Sequence, residues 1–205
     1  QMYSASDAPT SVKLCKTYGF ARMEGVFSKD EVDKMRAEAL LALHRGSQLE
    51  VMNGFPTIMY HPDSEYLQAI SKDPRILEVV TLHLGDSILQ TQQWYFHLPG
   101  DPDEFAWHTD ERFRPGVGDY YLQTAVLIDD WTEENSAVEF IPKSHKQSFN
   151  QSAELRKFVR DDKKGIKLTG KAGDLLMWSN IVVHGSERNV SSKPRAYYMN
   201  GYECV

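Results

Sequence analysis

Cysteine is nearly absent from this 205-residue chain. Cys15 and Cys204 are the whole supply, too few for a disulfide framework or a cysteine-built zinc site, so the expectation is two free thiols, with one terminus-to-terminus bridge as the alternative. Long apolar runs are also missing. Stretches such as Ile181 to Val183 are soon broken by polar residues, far short of the roughly 20 residues that a membrane helix needs. Basic charge is in deficit, 23 Lys and Arg against 29 Asp and Glu for a net charge of -6. That balance argues against a general nucleic-acid or anionic-membrane surface, which must neutralise phosphates. There is no internal repeat and no low-complexity tract. What remains is an ordinary soluble composition, 41% hydrophobic and 25% charged, at a length that suits one domain spanning residues 1–205. Gln1 is not an initiator methionine, so the reading expects a trimmed N-terminus, and a cytoplasmic setting.

The period of the apolar residues changes along the chain. After a polar leader, residues 18–23 read as a short strand ending at Gly25. Ser28 and Glu31 form a capping box, and Val32, Met35, Ala39, Leu40 and Leu43 recur at helical spacing until Arg45 and Gly46. Asp73 and Pro74 open a second helix, with Ile76, Leu77, Val80, Leu82 and Leu84 mostly inward and Gly85 as its stop. From Ser87 the period is strand-like, placing Ile88, Gln90, Gln92, Trp94 and Phe96 on one face. Further strands are predicted at 120–128, 137–141, 174–178, 181–185 and 195–202, separated by Gly, Pro, Asp and Asn turns. A polar stretch at 144–170 interrupts them, with a loop at 163–165. Helices first and strands afterwards imply a mainly β fold with flanking helices, a jelly roll carrying a helical scaffold over about 1–86 and a core over about 87–205.

The chemistry gathers in two places. His108 and Asp110 are two apart, so on an extended chain an imidazole and a carboxylate point to one side. A distant histidine, His184, at the end of an apolar segment, completes a two-histidine, one-carboxylate triad of the kind that leaves three sites of an octahedral iron(II) open. Arg195, on the next strand-like segment, offers a planar guanidinium suited to the far end of a dicarboxylic cosubstrate.

These residues carry a resemblance to the phytanoyl-CoA dioxygenase family of iron(II) and 2-oxoglutarate-dependent oxygenases. The order His108-Thr109-Asp110, Asn135, Ile141-Pro142-Lys143-Ser144-His145, Gly173-Asp174, His184-Gly185-Ser186 and Arg195 matches the family at similar spacings, and residues 18–43 resemble its opening strand and helix. Lys143 stands where relatives usually carry glycine. The resemblance implies a double-stranded β-helix, cupin-like in outline, with His108, Asp110 and His184 on iron and Arg195 with Ser186 on the distal carboxylate of 2-oxoglutarate. It leaves a second cosubstrate contact open among Gln92, Gln93 and Tyr95, and puts Gln123 where some relatives have a tryptophan near the cosubstrate. An intact Asp110 favours oxygenation over halogenation, which in relatives goes with a small residue at this position.

The implied function is oxidation of a small organic molecule with O2 by C–H abstraction, most simply hydroxylation, releasing succinate and CO2. Cyclisation, desaturation and demethylation use the same oxidant and stay open. Two rivals are a non-catalytic metal-binding jelly roll, which would bind metal without making succinate, and a zinc cupin-like enzyme, which leaves Arg195 unexplained. Arg112, Arg114, Tyr120 and Trp94 are substrate candidates, the two arginines for a carboxylate, phosphate or sulfate. For Trp94, as for Tyr60 and Phe55, packing is the stronger reading, and His145 is read as structural. The sequence leaves the oligomeric state open.

Overall fold

The structure, a computed structural model, describes residues 2–44, 49–52, 55–59, 64–99, 105–110, 120–147, 152–160 and 165–205. Its start differs from the expected polar leader. Asp7 accepts a hydrogen bond from the Thr10 amide at 2.9 Å, and a proline in the first turn sets the backbone for helix α1 (Ala8–Tyr18), which Gly19 ends in a left-handed conformation. The apolar stripe of Ala8, Val12 and Cys15 is short enough to be missed in a polar context. Ser28 and Glu31 do form the reciprocal box, amide to Glu31 Oε2 at 2.7 Å and amide to Ser28 Oγ at 3.3 Å, in front of α2 (Lys29–His44). Val32, Met35 and Ala39 are buried by α2, but Leu40 is exposed. Residues 45–48 lie outside the described residues, as do 60–63, and nothing is described of the Leu43 side chain. A short α3 (Glu65–Ile70) precedes α4 (Pro74–Leu84), capped by Asp73. Here the buried set is Ile76, Val79, Val80 and His83, the i, i+3, i+4, i+7 stripe, while Leu77 and Leu82 are exposed.

Two sheets face each other. The larger has the order β1-β2-β10-β7-β12-β5-β4-β3, formed by β1 (Ser4–Ala5), β2 (Phe20–Met23), β3 (Leu49–Met52), β4 (Phe55–Met59), β5 (Ser87–His97), β7 (Tyr121–Leu127), β10 (Leu175–Ser179) and β12 (Arg195–Cys204). The smaller has the order β6-β11-β8-β9, formed by β6 (Phe105–His108), β8 (Glu139–Phe140), β9 (Ile166–Lys167) and β11 (His184–Ser186). From β5 onward the chain crosses repeatedly between the sheets, the winding of a double-stranded β-helix. The segment before residue 87 therefore supplies four strands to the larger sheet as well as helices. The expected strand at 181–185 begins only at His184, because residues 180–182 turn. The polar stretch after Ser144 holds α5 (Ser152–Arg160) and β9, while 161–164 lie outside the described residues. Cys15 and Cys204 are both free thiols.

The larger sheet is covered on both faces. Alternate residues Trp94, Leu122, Val126, Leu175, Met177, Ala196, Tyr198 and Tyr202 pack with the helices in one core. The intervening residues Tyr95, Ala125, Leu127, Leu176, Trp178, Tyr197 and Met199 pack toward the smaller sheet in a second. This alternation gives the site its floor. The turn before β10 is tightly packed against the helix side, where Gly173 has φ 94° and an added Cβ would collide with the Phe27 carbonyl oxygen. Gly173→Ala should cost roughly 3 kcal/mol in urea denaturation, backbone strain plus a clash with fixed backbone. Gly25→Ala, at φ 62° with open space around it, should cost only about 1 kcal/mol; equal losses would contradict this account.

Candidate active site

Sheet register brings the predicted metal donors together. His184 pairs with His108 across β11 and β6, and their rings lie 4.3 Å apart between centroids. Each ring donates Nδ1–H to the carbonyl two residues earlier, His108 to Ala106 at 2.8 Å and His184 to Val182 at 3.0 Å. A carbonyl only accepts, so both tautomers are fixed and both Nε2 lone pairs face inward. Asp110 sits in the bend after β6, not on the strand, with Oδ1 3.7 Å from His108 Nε2 and 3.6 Å from His184 Nε2. Adjacent donors of an octahedral ion with bonds of about 2.1 Å lie roughly 3 Å apart, so the set fits a metal after a small contraction. Among the described residues this is the one such group of metal-ligating side chains.

Electrostatics suit the same role. Burial, reinforced by the neighbouring His108, draws His184 down to about 4 against the pull of Asp110, so its imidazole is neutral at neutral pH. Burial alone would raise Asp110; His184, the hydrogen bond with His108 and the Trp178 indole outweigh it and hold the carboxyl below its usual range. The second oxygen, Oδ2, accepts Trp178 Nε1–H at 2.8 Å.

The opposite end of the cavity is a buried cation. Arg195 is 1% exposed, donates through Nη1 to the Ser136 carbonyl, and donates through Nη2 to His97 Nδ1 at 2.9 Å and Ser186 Oγ at 3.5 Å. Its guanidinium also stands 4.9 Å from the Trp131 ring centroid. Burial lowers it to about 10, still protonated at neutral pH. No carboxylate among the described residues pairs with it, and its buried Nε has no hydrogen-bond partner. Ser136 reaches Arg195 because the preceding turn is tied by Asn135, which accepts from Thr132 N and donates to Asp130 O.

Tyr95, Val138, Trp178, Gly185, Tyr197 and Met199 line the cavity between the triad and Arg195. The sequence profile of the phytanoyl-CoA dioxygenase (PhyH) family matches residues 15–197. The chain belongs to that family. It is 26% identical to a probable alpha-ketoglutarate-dependent hypophosphite dioxygenase of Stutzerimonas stutzeri, over 91% of this chain and 75% of that one. It is 27% identical to the ectoine dioxygenase of Bordetella bronchiseptica, over 91% and 72%. Among solved structures, the non-haem alpha-ketoglutarate-dependent carbocyclase SnoK of nogalamycin biosynthesis superposes with a TM-score of 0.81 at 18% identity, covering 95% of this chain and 83% of SnoK, which establishes the shared fold. As a family member the chain is a non-haem iron dioxygenase with iron(II), 2-oxoglutarate and O2 as cofactor and cosubstrates.

Within this family site the other candidates separate by strand face. Tyr95 is on the floor, its hydroxyl donating to Gln93 Oε1 at 2.6 Å. Gln93 is one step further along the same face, and Gln123 lies beyond it, in the row with Trp178 and Gly201; its buried Oε1 has no hydrogen-bond partner. Gln92 takes the other face by alternation. Trp94, expected near substrate, is fully buried in the helix-side core, and the correction follows from strand parity. Tyr120 falls on the parity of Leu122; the inward tyrosine is Tyr121, whose hydroxyl meets Thr91 Oγ1 at 3.1 Å across Gly201. Arg112, Arg114, Phe55 as a side chain, and Tyr60 lie outside what is described. His97, Trp131, Ser136, Trp178 and Tyr197 were not anticipated; of these Tyr197 has a usable signal, since it stands two residues from Arg195 on one strand and so shares its face. His184→Ala should weaken iron(II) binding by more than the ~10–100-fold that losing an outer-shell partner costs, measured by competition with a chromophoric chelator; an unchanged affinity would remove the triad from consideration.

Proposed function

We propose that His108, Asp110 and His184 hold iron(II), that Arg195 and Ser186 receive the distal carboxylate of 2-oxoglutarate, and that the enzyme hydroxylates a small polar organic molecule. The observation that carries the reading is the buried guanidinium, a full positive charge with no carboxylate beside it among the described residues, facing the cavity that ends at the three metal donors. A dicarboxylate with one end on a metal and the other on an arginine fits such a cavity better than a neutral ligand does. When bound, iron and 2-oxoglutarate supply the oxidising power, with succinate and CO2 as by-products.

The chain's own side chains position and exclude. Ser136 O and His97 hold the guanidinium in one orientation, leaving Nε–H and the Ser186 hydroxyl as donors toward a carboxylate. Tyr95 and Tyr197, stacked at 4.8 Å, wall the middle of the cavity and keep water out; burial holds Tyr197 up at about 12, so it stays a neutral phenol. Gln93 and Tyr95 flank the cosubstrate. Six residues of strand separate Arg195 from Gly201, roughly 20 Å at about 3.3 Å per residue, which leaves Gln123 and the Tyr121–Thr91 pair at the end of the floor away from Arg195, in and beside the row of Trp178. That uncharged polar floor favours a substrate with amide, amine or hydroxyl groups, and Gln123 serves substrate more readily than cosubstrate.

Iron-loaded protein is expected to release succinate from 2-oxoglutarate only with O2 present, and faster once a substrate from a panel of small polar molecules is added. Ser186→Ala should raise the KM for 2-oxoglutarate about 10-fold with kcat within a few-fold, as loss of one hydrogen bond to a charged group predicts. Iron binding without any succinate would contradict the enzymatic reading and leave the binding module.

A further inference from the structure

We propose that Trp178 is the positioning residue that sets how Asp110 meets the metal, holding the carboxylate to one oxygen so that three coordination positions stay open. The inference rests on the proposed metal role of Asp110. A carboxylate can bind an ion through one oxygen or two, and two would consume a position that a chelating cosubstrate and O2 together require. Among the described residues, the side-chain contacts of Asp110 are with the two histidines and Trp178. Asp110 lies past the last residue of β6, in a bend, with no ladder hydrogen bonds of its own strand.

Trp178, in contrast, is anchored. Its strand β10 is paired on both edges, Trp178 opposite Phe20 of β2 and opposite Gln123 of β7. The indole is buried, with the Phe140 ring 6.0 Å away and the His184 ring 5.9 Å away between centroids. Rotation is therefore blocked, and Nε1–H is aimed at Asp110 Oδ2 at 2.8 Å. An indole N–H only donates, so it engages one carboxylate oxygen and leaves Oδ1 toward the two Nε2 atoms at 3.6 and 3.7 Å. The contact also ties the smaller sheet's metal-bearing bend to the larger sheet, 68 residues away in sequence.

Trp178→Phe keeps an aromatic ring and removes the donor. Iron(II) affinity should fall about 10- to 100-fold, and the cobalt(II)-substituted protein should bind 2-oxoglutarate more weakly, with a changed visible ligand-field spectrum before cosubstrate is added. The metal-free variant should melt cooperatively, as wild type does. Should Trp178→Phe prove poorly folded, an indole-to-benzothiophene replacement, which keeps shape and loses only the N–H, is to give the same spectral change and the same loss of affinity. Metal affinity and cobalt spectrum unchanged in either folded variant would overturn the proposal and leave Trp178 as packing. Loss of iron affinity with a wild-type cobalt spectrum would also overturn it. The underlying metal assignment fails separately, if wild-type protein binds neither ion.

Discussion

Arg195 begins the strand that runs through the middle of the larger sheet, and its charge is kept out of water. The effective penalty for burying an ion is several kcal/mol even after relaxation, and normally a carboxylate offsets it. Here two neutral acceptors, the Ser136 carbonyl and His97, and the face of Trp131 share the work. These contacts orient the cation without neutralising it. On the proposed function the rest of the site follows from that constraint, because a protonated group so placed would give its net stabilisation to an anion arriving along the cavity. The proposed metal donors at the other end would then fix the length of molecule that can satisfy both.

The larger sheet can hold such a group because both its faces are covered. Helices bury one side and the smaller sheet the other, so any polar residue on the inner face must have a partner or a use. Gln93 with Tyr95, Thr91 with Tyr121, and Arg195 with His97 are pairs across or along strands; Gln123 keeps an unpartnered buried atom. The polar residues run along one face from the arginine to the uncharged end. A single strand parity thus separates the helix-side scaffold from the face that lines the site.

Local signals in the sequence carried a long way. The capping box at Ser28 and Glu31, the Asp73–Pro74 helix start and the His108–Asp110 pair are each written in neighbouring residues, the order that adds His184 and Arg195 carries the family resemblance, and the fold class follows from strands after helices. Helix α1 escaped notice because Asp7 and Pro9 introduce only a short apolar stripe. Leu77 and Leu82 read as inward in the sequence, but the stripe through Ile76 passes instead through Val79 and His83. Trp94 is a substrate candidate in the sequence with packing as the stronger reading, and packing is what the helix-side core shows; a residue's face can be counted from its strand, but which face meets the site cannot. His97, Ser136 and Trp178 act across 98, 59 and 68 residues. Such contacts are set by sheet register, which no short motif encodes.

Arg195 and the triad are proposed to grip opposite ends of one cosubstrate. The most direct measurement is anaerobic titration of iron(II)-loaded protein with 2-oxoglutarate, following the weak visible charge-transfer band of the chelate, in wild type and in Arg195→Ala. The account predicts a saturable band in wild type and a dissociation constant raised at least ~10-fold in the variant, the scale of a lost charged hydrogen bond. Equal affinity in the two proteins, or iron-loaded wild type that develops no band, would contradict it.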